Sequence, residues 1–189
     1  MKVLEDRREA FYYECVRRAE PHYAGFDRPS VEMVLGFVHT YDQLHQIASR
    51  YMAEYGLSKS SVNILMLLRH GSDKGMQLHD LGELLLVSRA NITGLMDHLE
   101  EKGYVKRTVD PRDRRARHAR ITPKGEALLD EFMPVHYRNL KVLLQDLSGE
   151  EKDALTGLLR KVRASLSAHD AMFQTAGERG LHRDARRSE

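Results

Sequence analysis

A single cysteine, Cys15, in a chain of 189 residues excludes a disulfide framework within the chain and any zinc site built from several thiolates. No apolar run approaches the ~20 residues needed to cross a bilayer, so no membrane-spanning helix is expected. The opening Met1-Lys-Val-Leu-Glu-Asp-Arg-Arg8 contains no apolar stretch of the kind a secretory leader needs, which makes a cytoplasmic location the expectation. Catalytic signatures are absent too: no Gly-x-Ser-x-Gly elbow, glycine-rich phosphate loop, His-Glu-x-x-His or Cys-x-x-Cys. An enzyme is therefore the remotest reading, and no cofactor is implied. Ten histidines are present but scattered. His39 and His45 are six apart on one helix, a poor match to the i, i+4 geometry that brings two imidazoles together. His79, His98, His118 and His136 form no ligand set, and no metal site is expected. There is no internal repeat and no low-complexity tract.

What is present converges on the stretch from Leu78 to Thr122. Asp80 to Leu85 reads as a short amphipathic helix and Leu86-Val87 as a tight connection. Ser88 stands where an N-cap belongs, Arg89 to Lys102 read as a second helix, and Gly103 ends it. Tyr104 to Val109 alternates and is β-rich, Asp110 to Arg115 is a charged turn, and Arg117 to Ile121 is the return strand. Helix, turn, helix, hairpin is the order of a winged helix-turn-helix, which lays its second helix in the major groove of double-stranded DNA.

In that second helix Ile92, Leu95, Met96 and Leu99 recur at i, i+3, i+4 and i+7 and predict the inward stripe. Opposite them lie Ala90, Gly94 and Asp97. Glycine inside a helix costs ~1 kcal/mol relative to alanine. Close approach to a groove floor is one reason to accept that cost; an ordinary surface helix with an indifferent glycine is the other. Ser88, Arg89, Asn91 and Thr93 flank the face near the helix N-terminus, where recognition helices reach base edges. Arginine suits guanine or a phosphate, asparagine suits adenine, and the threonine methyl can touch thymine.

The hairpin concentrates positive charge. Between Lys106 and Lys124 eight basic residues face two acidic ones, +6 in a chain whose total is +2, which leaves −4 for the remainder. Asp113 is placed to hold Arg115 in a salt bridge and stiffen the tip. Arg112 or Arg114 can then enter a minor groove, with Arg115 and Arg117 as further DNA contacts. Asp110-Pro-Arg-Asp-Arg-Arg115, followed by Ile121-Thr-Pro-Lys-Gly125, resembles the wing signature of the MarR family of bacterial regulators. Val87-Ser-Arg-Ala-Asn-Ile-Thr-Gly-Leu95 and Leu99-Glu-Glu-Lys-Gly-Tyr-Val105 are similar to its recognition helix and exit. The likeness runs roughly from Ser30 to Leu166. It implies a homodimer, a two-fold DNA site, and a ligand or oxidant that modulates binding.

The rest of the chain reads as support: a mainly α protein with a small β-hairpin wing, α+β in class. Residues 1–29 are an N-terminal helical extension, with Leu4, Phe11, Cys15 and Ala19 on one stripe and Tyr12 and Val16 beside it. Residues 30–57 and 123–168 make a helical dimerisation region, and 58–122 the winged domain. Ser58 caps a helix after Gly56. Thr122 with Pro123 opens a long helix to about Asp146, interrupted by Pro134, where a kink is expected. Ser148-Gly-Glu-Glu151 is a capping box. It opens a last helix whose narrow stripe is Leu155, Leu158, Leu159, Val162 and Leu166. Residues 169–189 are expected to be a disordered charged tail.

In the family, the effector pocket lies where the long helices meet the winged module. That place would be bordered here by Phe37, Tyr41, His45, Met66, Arg69 and His70. Arg69 beside aromatics suits a small aromatic or phenolic acid, although aromatic and methionine stripes also form plain core. Related regulators with an N-terminal extension bind urate through a tryptophan, and this chain has none, which argues against that site. Peroxide-sensing members carry a cysteine near the start of the first core helix, close to Gly36 here. Cys15 lies about twenty residues earlier on an apolar stripe and is expected to be buried and inert. The sequence thus reads as a homodimeric, ligand-responsive repressor acting on a palindromic operator. The alternative is a winged-helix architectural or protein-interaction module without sequence-specific regulation.

Overall fold

A computed structural model describes residues 7–72, 75–109 and 117–185, leaving aside the side chains of Arg89, Val109, Arg117 and residues 171–185. In chain order these form α1 (Arg7–Ala19), a 3-10 turn at Glu20–His22, α2 (Arg28–Glu54), α3 (Lys59–His70), β1 (Met76–Gln77), α4 (Leu78–Leu85) and α5 (Arg89–Glu101). They continue with β2 (Val105–Val109), β3 (Arg117–Ile121), α6 (Pro123–Leu143) and α7 (Gly149–Ala185). The chain divides into two compact units, Met1–Met133 and Pro134–Glu189.

Polar caps and glycines set most boundaries. α2 starts two residues before the expected Ser30, because Asp27 is the cap: its carboxylate accepts from the Ser30 N–H at 3.1 Å, and a proline occupies the first turn. Ser58 accepts from the Ser61 N–H at 3.2 Å and opens α3. Gly56 and Gly103 stand just past α2 and α5 with φ of 64° and 74°, the left-handed conformation that glycine adopts without a Cβ clash.

The first unit holds the core. Ile64 and Leu65 of α3, Leu81 of α4, Ile92, Met96 and Leu99 of α5, Ala119 of β3, and Leu129 and Phe132 of α6 are almost wholly buried. Tyr51 and Tyr55 of α2 lay their rings on Phe132, with centroids 6.3 and 5.3 Å away. The sheet is antiparallel in the order β1-β3-β2, with Met76 opposite Ala119 and Val105 opposite Ile121. The link from β3 into α6 is a hydrogen-bonded joint. The Thr122 N–H donates to the Tyr104 carbonyl at 3.0 Å and its hydroxyl to the Gly103 carbonyl at 2.7 Å. The Gly125 N–H donates to the Thr122 hydroxyl at 3.1 Å, and a Cβ on Gly125 would overlap the Tyr104 carbonyl.

Against expectation, Cys15 is exposed. The line of α1 that meets α2 runs through Tyr12 and Val16, about 100° round the helix from the stripe expected. Val16 is buried and the Tyr12 ring lies 4.7 Å from His39, whereas Phe11 is left outside.

In the second unit the capping box forms: the Ser148 N–H donates to Glu151 at 2.7 Å and the Glu151 N–H to the Ser148 hydroxyl at 3.2 Å. None of residues 134–170 is buried. Helix α6 runs through Pro134 without a break. Helix α7 continues to Ala185, into the stretch expected to be a disordered charged tail.

Candidate nucleic-acid interface

The Ser88 hydroxyl accepts from the Asn91 N–H at 3.3 Å, which fixes where α5 begins. From there the helix divides as its periodicity requires. Ile92, Met96 and Leu99 are buried and Leu95 is half-buried, while Ala90, Asn91, Thr93, Gly94 and Asp97 are exposed. A Cβ built on Gly94 meets nothing within 4 Å, so nothing inside the protein requires glycine there. The backbone of Arg89 opens the helix. The wing tip is outside the described residues, and with it Arg112, Asp113, Arg114, Arg115 and the expected Asp113–Arg115 bridge. The backbone of Arg117 pairs with Val109 at the top of the hairpin.

One cation on the hairpin has a different task. Arg107 of β2 reaches back to α5, its guanidinium 2.6 Å from both Asp97 and Glu100. Its backbone N–H also donates to Glu100 at 2.9 Å. That backbone hydrogen bond, followed by the guanidinium's, holds the Glu100 carboxyl below the usual glutamate range. The same partners raise Arg107. Arg107 therefore clamps the helix to the wing and is neutralised there. Lys106 and Arg120, by contrast, are exposed and sit directly opposite each other on β2 and β3. Like charges in that register destabilise a hairpin, and a polyanion laid across it would relieve them. Lys124 donates to the Lys102 carbonyl at 2.8 Å, and Lys102 to the Gly56 carbonyl at 3.0 Å. The sequence pattern missed the clamp, because a strand arginine gives no sign of which helix carboxylates it will meet.

The residues expected around an effector separate. Tyr41 and His45 stack at 5.7 Å and line a groove of about 430 Å³ with Ser49, Leu57, Ser58, Lys59 and Ser60. Lys59 donates to the Tyr41 hydroxyl at 3.1 Å and lies 5.1 Å from its ring. Phe37 is exposed and Met66 packs against the core. Arg69 is drawn to Asp130 at 2.5 Å, and His70 is exposed at the end of α3. The cause is distance along the helix: Met66 lies about two turns and Arg69 nearly three turns beyond Lys59 on α3, so neither borders the groove that Lys59 lines. Among the described residues no three His, Cys, Asp or Glu side chains are placed to hold a metal, and no helix is long and apolar enough to cross a membrane.

A model of the MarR family matches residues 55–116. The chain is 30% identical over 155 residues to the transcriptional repressor YetL of Bacillus subtilis, covering 82% of this chain and 93% of that one. This chain belongs to the MarR family. It is 31% identical over 137 residues to the repressor MprA of Escherichia coli, covering 72% of this chain and 76% of its relative. Among solved structures, Staphylococcus aureus MepR in complex with DNA superposes with a TM-score of 0.66 at 22% identity, over 70% of this chain and 97% of MepR. PcaV of Streptomyces coelicolor, solved with its natural ligand, gives 0.58 at 21% identity, over 67% and 90%. The protein is thus a MarR-family winged helix-turn-helix transcriptional regulator that binds DNA, not an enzyme. The family model covers α3 through β2 and the wing tip.

Proposed function

We propose that this MarR-family protein is a cytoplasmic, homodimeric repressor that reads a palindromic operator through α5 and is modulated by a small aromatic or phenolic acid. The observation that carries the DNA reading is the exposed face of α5. Small residues and Asn91 stand outward there, and Gly94 opens onto empty space. The wing arginines, from Arg112 to Arg117, are assigned to phosphates and the minor groove, which discriminate bases poorly. For the effector, the Lys59 ammonium beside the Tyr41 and His45 rings offers an aromatic carboxylate both charge and stacking. Lys59 takes the part expected of Arg69.

Selection of bound sequences from a random DNA pool, followed by salt titrations on selected and random DNA, tests the reading. An inverted repeat with half-site centres ~34–36 Å apart is expected. Asn91→Ala should cost ~1–3 kcal/mol on the selected site alone and leave the salt slope unchanged. Arg112→Ala with Arg114→Ala should weaken both DNAs and flatten the slope by ~1 for each phosphate no longer neutralised. A pool without enrichment would favour the architectural alternative. Benzoate should release wild-type protein from the site and fail on Lys59→Met; equal release from both would remove the groove from the account.

A further inference from the structure

Leu86, between α4 and α5, has a conformation and a setting at odds with its chemistry. It lies in the left-handed region at φ 53° and ψ 42°. No other described non-glycine residue has a positive φ. A branched side chain is strained in that conformation, and glycine is the residue such a helix end favours. The backbone task is ordinary: the Leu86 N–H donates to the Glu83 carbonyl at 3.1 Å, which glycine would do as well. The side chain is 94% exposed, so packing within the chain does not account for keeping leucine. Strain held at an exposed position points to a use outside the protein.

The position names the use. Leu86 stands two residues before Ser88, the cap of α5, and so borders the end of the helix that meets base edges. DNA presents apolar surface there as thymine methyls in the major groove and as deoxyribose C–H edges on its wall. We propose that Leu86 is a DNA-contacting residue that makes an apolar contact beside α5, an inference that rests on α5 being the reading helix.

The test uses full-length Leu86→Gly and Leu86→Ala on DNA selected by the wild type and on random DNA. It also uses copies of the selected site in which each thymine in turn becomes deoxyuridine, removing only its methyl. Leu86→Gly should melt at the wild-type temperature or above, yet bind the selected site about three- to tenfold more weakly with an unchanged salt slope. If the apolar partner is a thymine methyl, one deoxyuridine position per half-site weakens the wild type to a similar degree and leaves Leu86→Ala no weaker than before. If it is the deoxyribose edge, both DNAs lose affinity alike and no deoxyuridine position is coupled to Leu86. Wild-type affinity of both variants on both DNAs would overturn the inference and leave the reading of α5 standing. A glycine variant melting well below wild type would also overturn it, by giving the side chain a packing role. A wild type that selects no sequence would remove both readings.

Discussion

At the scale of single residues, two arginines tie elements of the winged unit together, Arg107 through Asp97 and Glu100 of α5 and Arg69 through Asp130 of α6. Arg107 looked like one more cation for DNA, yet it spans two carboxylates on the neighbouring helix. Arg69 looked like an effector's partner and is taken by Asp130. Each pairing joins residues on different elements, so the periodicity within one element carries no trace of it. The Arg107 clamp predicts a pH signature. Glu100 has its folded-state pKa depressed below the ordinary 4.5. Its contribution to stability is therefore fully present above the unfolded value and is lost as pH falls through the folded one. Glu100→Gln should cost about 1 kcal/mol at neutral pH, a modest figure because the carboxylate is partly exposed. The difference from wild type should vanish in acid. Urea melts of both proteins from pH 7 downward would check it; a gap that persists in strong acid would assign the loss to something other than the ionised carboxylate.

Among elements, legibility followed periodicity and punctuation. The buried stripe of α5, the caps at Ser58, Ser88 and Ser148, the stops at Gly56 and Gly103, and the span of β3 were all legible, because each is fixed by residues within one turn or one strand. The α1 stripe was misphased, since a helix with aromatics on several faces leaves the choice of face to its partner, α2. Two glycines show what element packing adds to pattern. Gly125 meets the Tyr104 carbonyl where α6 leaves the sheet, so Gly125→Ala should destabilise the protein by about 1–3 kcal/mol in thermal or urea melts. Gly94 meets nothing, so Gly94→Ala should stabilise by up to ~1 kcal/mol. Weaker binding of selected DNA by that better-folded variant is the expected result if a groove floor lies against α5; unchanged binding would make Gly94 an indifferent surface residue.

For the whole molecule, the question is what covers the apolar surface left by one chain. All of the buried core belongs to the first unit. The second exposes Leu155, Leu158 and Leu166 along α7 at 48%, 58% and 66%, together with Val142, Leu143 and Leu144 of the segment before it. Helix α2 likewise turns Met33, Val34, Phe37 and Val38 outward. A helix with an apolar stripe and no buried residue gains little from its own chain, and most helical stability in proteins comes from packing such a face. Two-fold association of identical stripes is the simplest cover. It would also present two copies of α5, as a palindromic site requires. Leu155→Glu with Leu158→Glu places charge at the centre of that stripe without touching the winged unit's core. Sedimentation should then give monomer, or a dimer weakened by at least two orders of magnitude, since burying even one unpaired carboxylate costs several kcal/mol. Circular dichroism should retain most of the helix of the first unit, and affinity for a two-half-site operator should fall far more than affinity for a single half-site. A double variant that stays dimeric at wild-type strength would place the dimer interface elsewhere, with the outward face of α2 the next surface to charge.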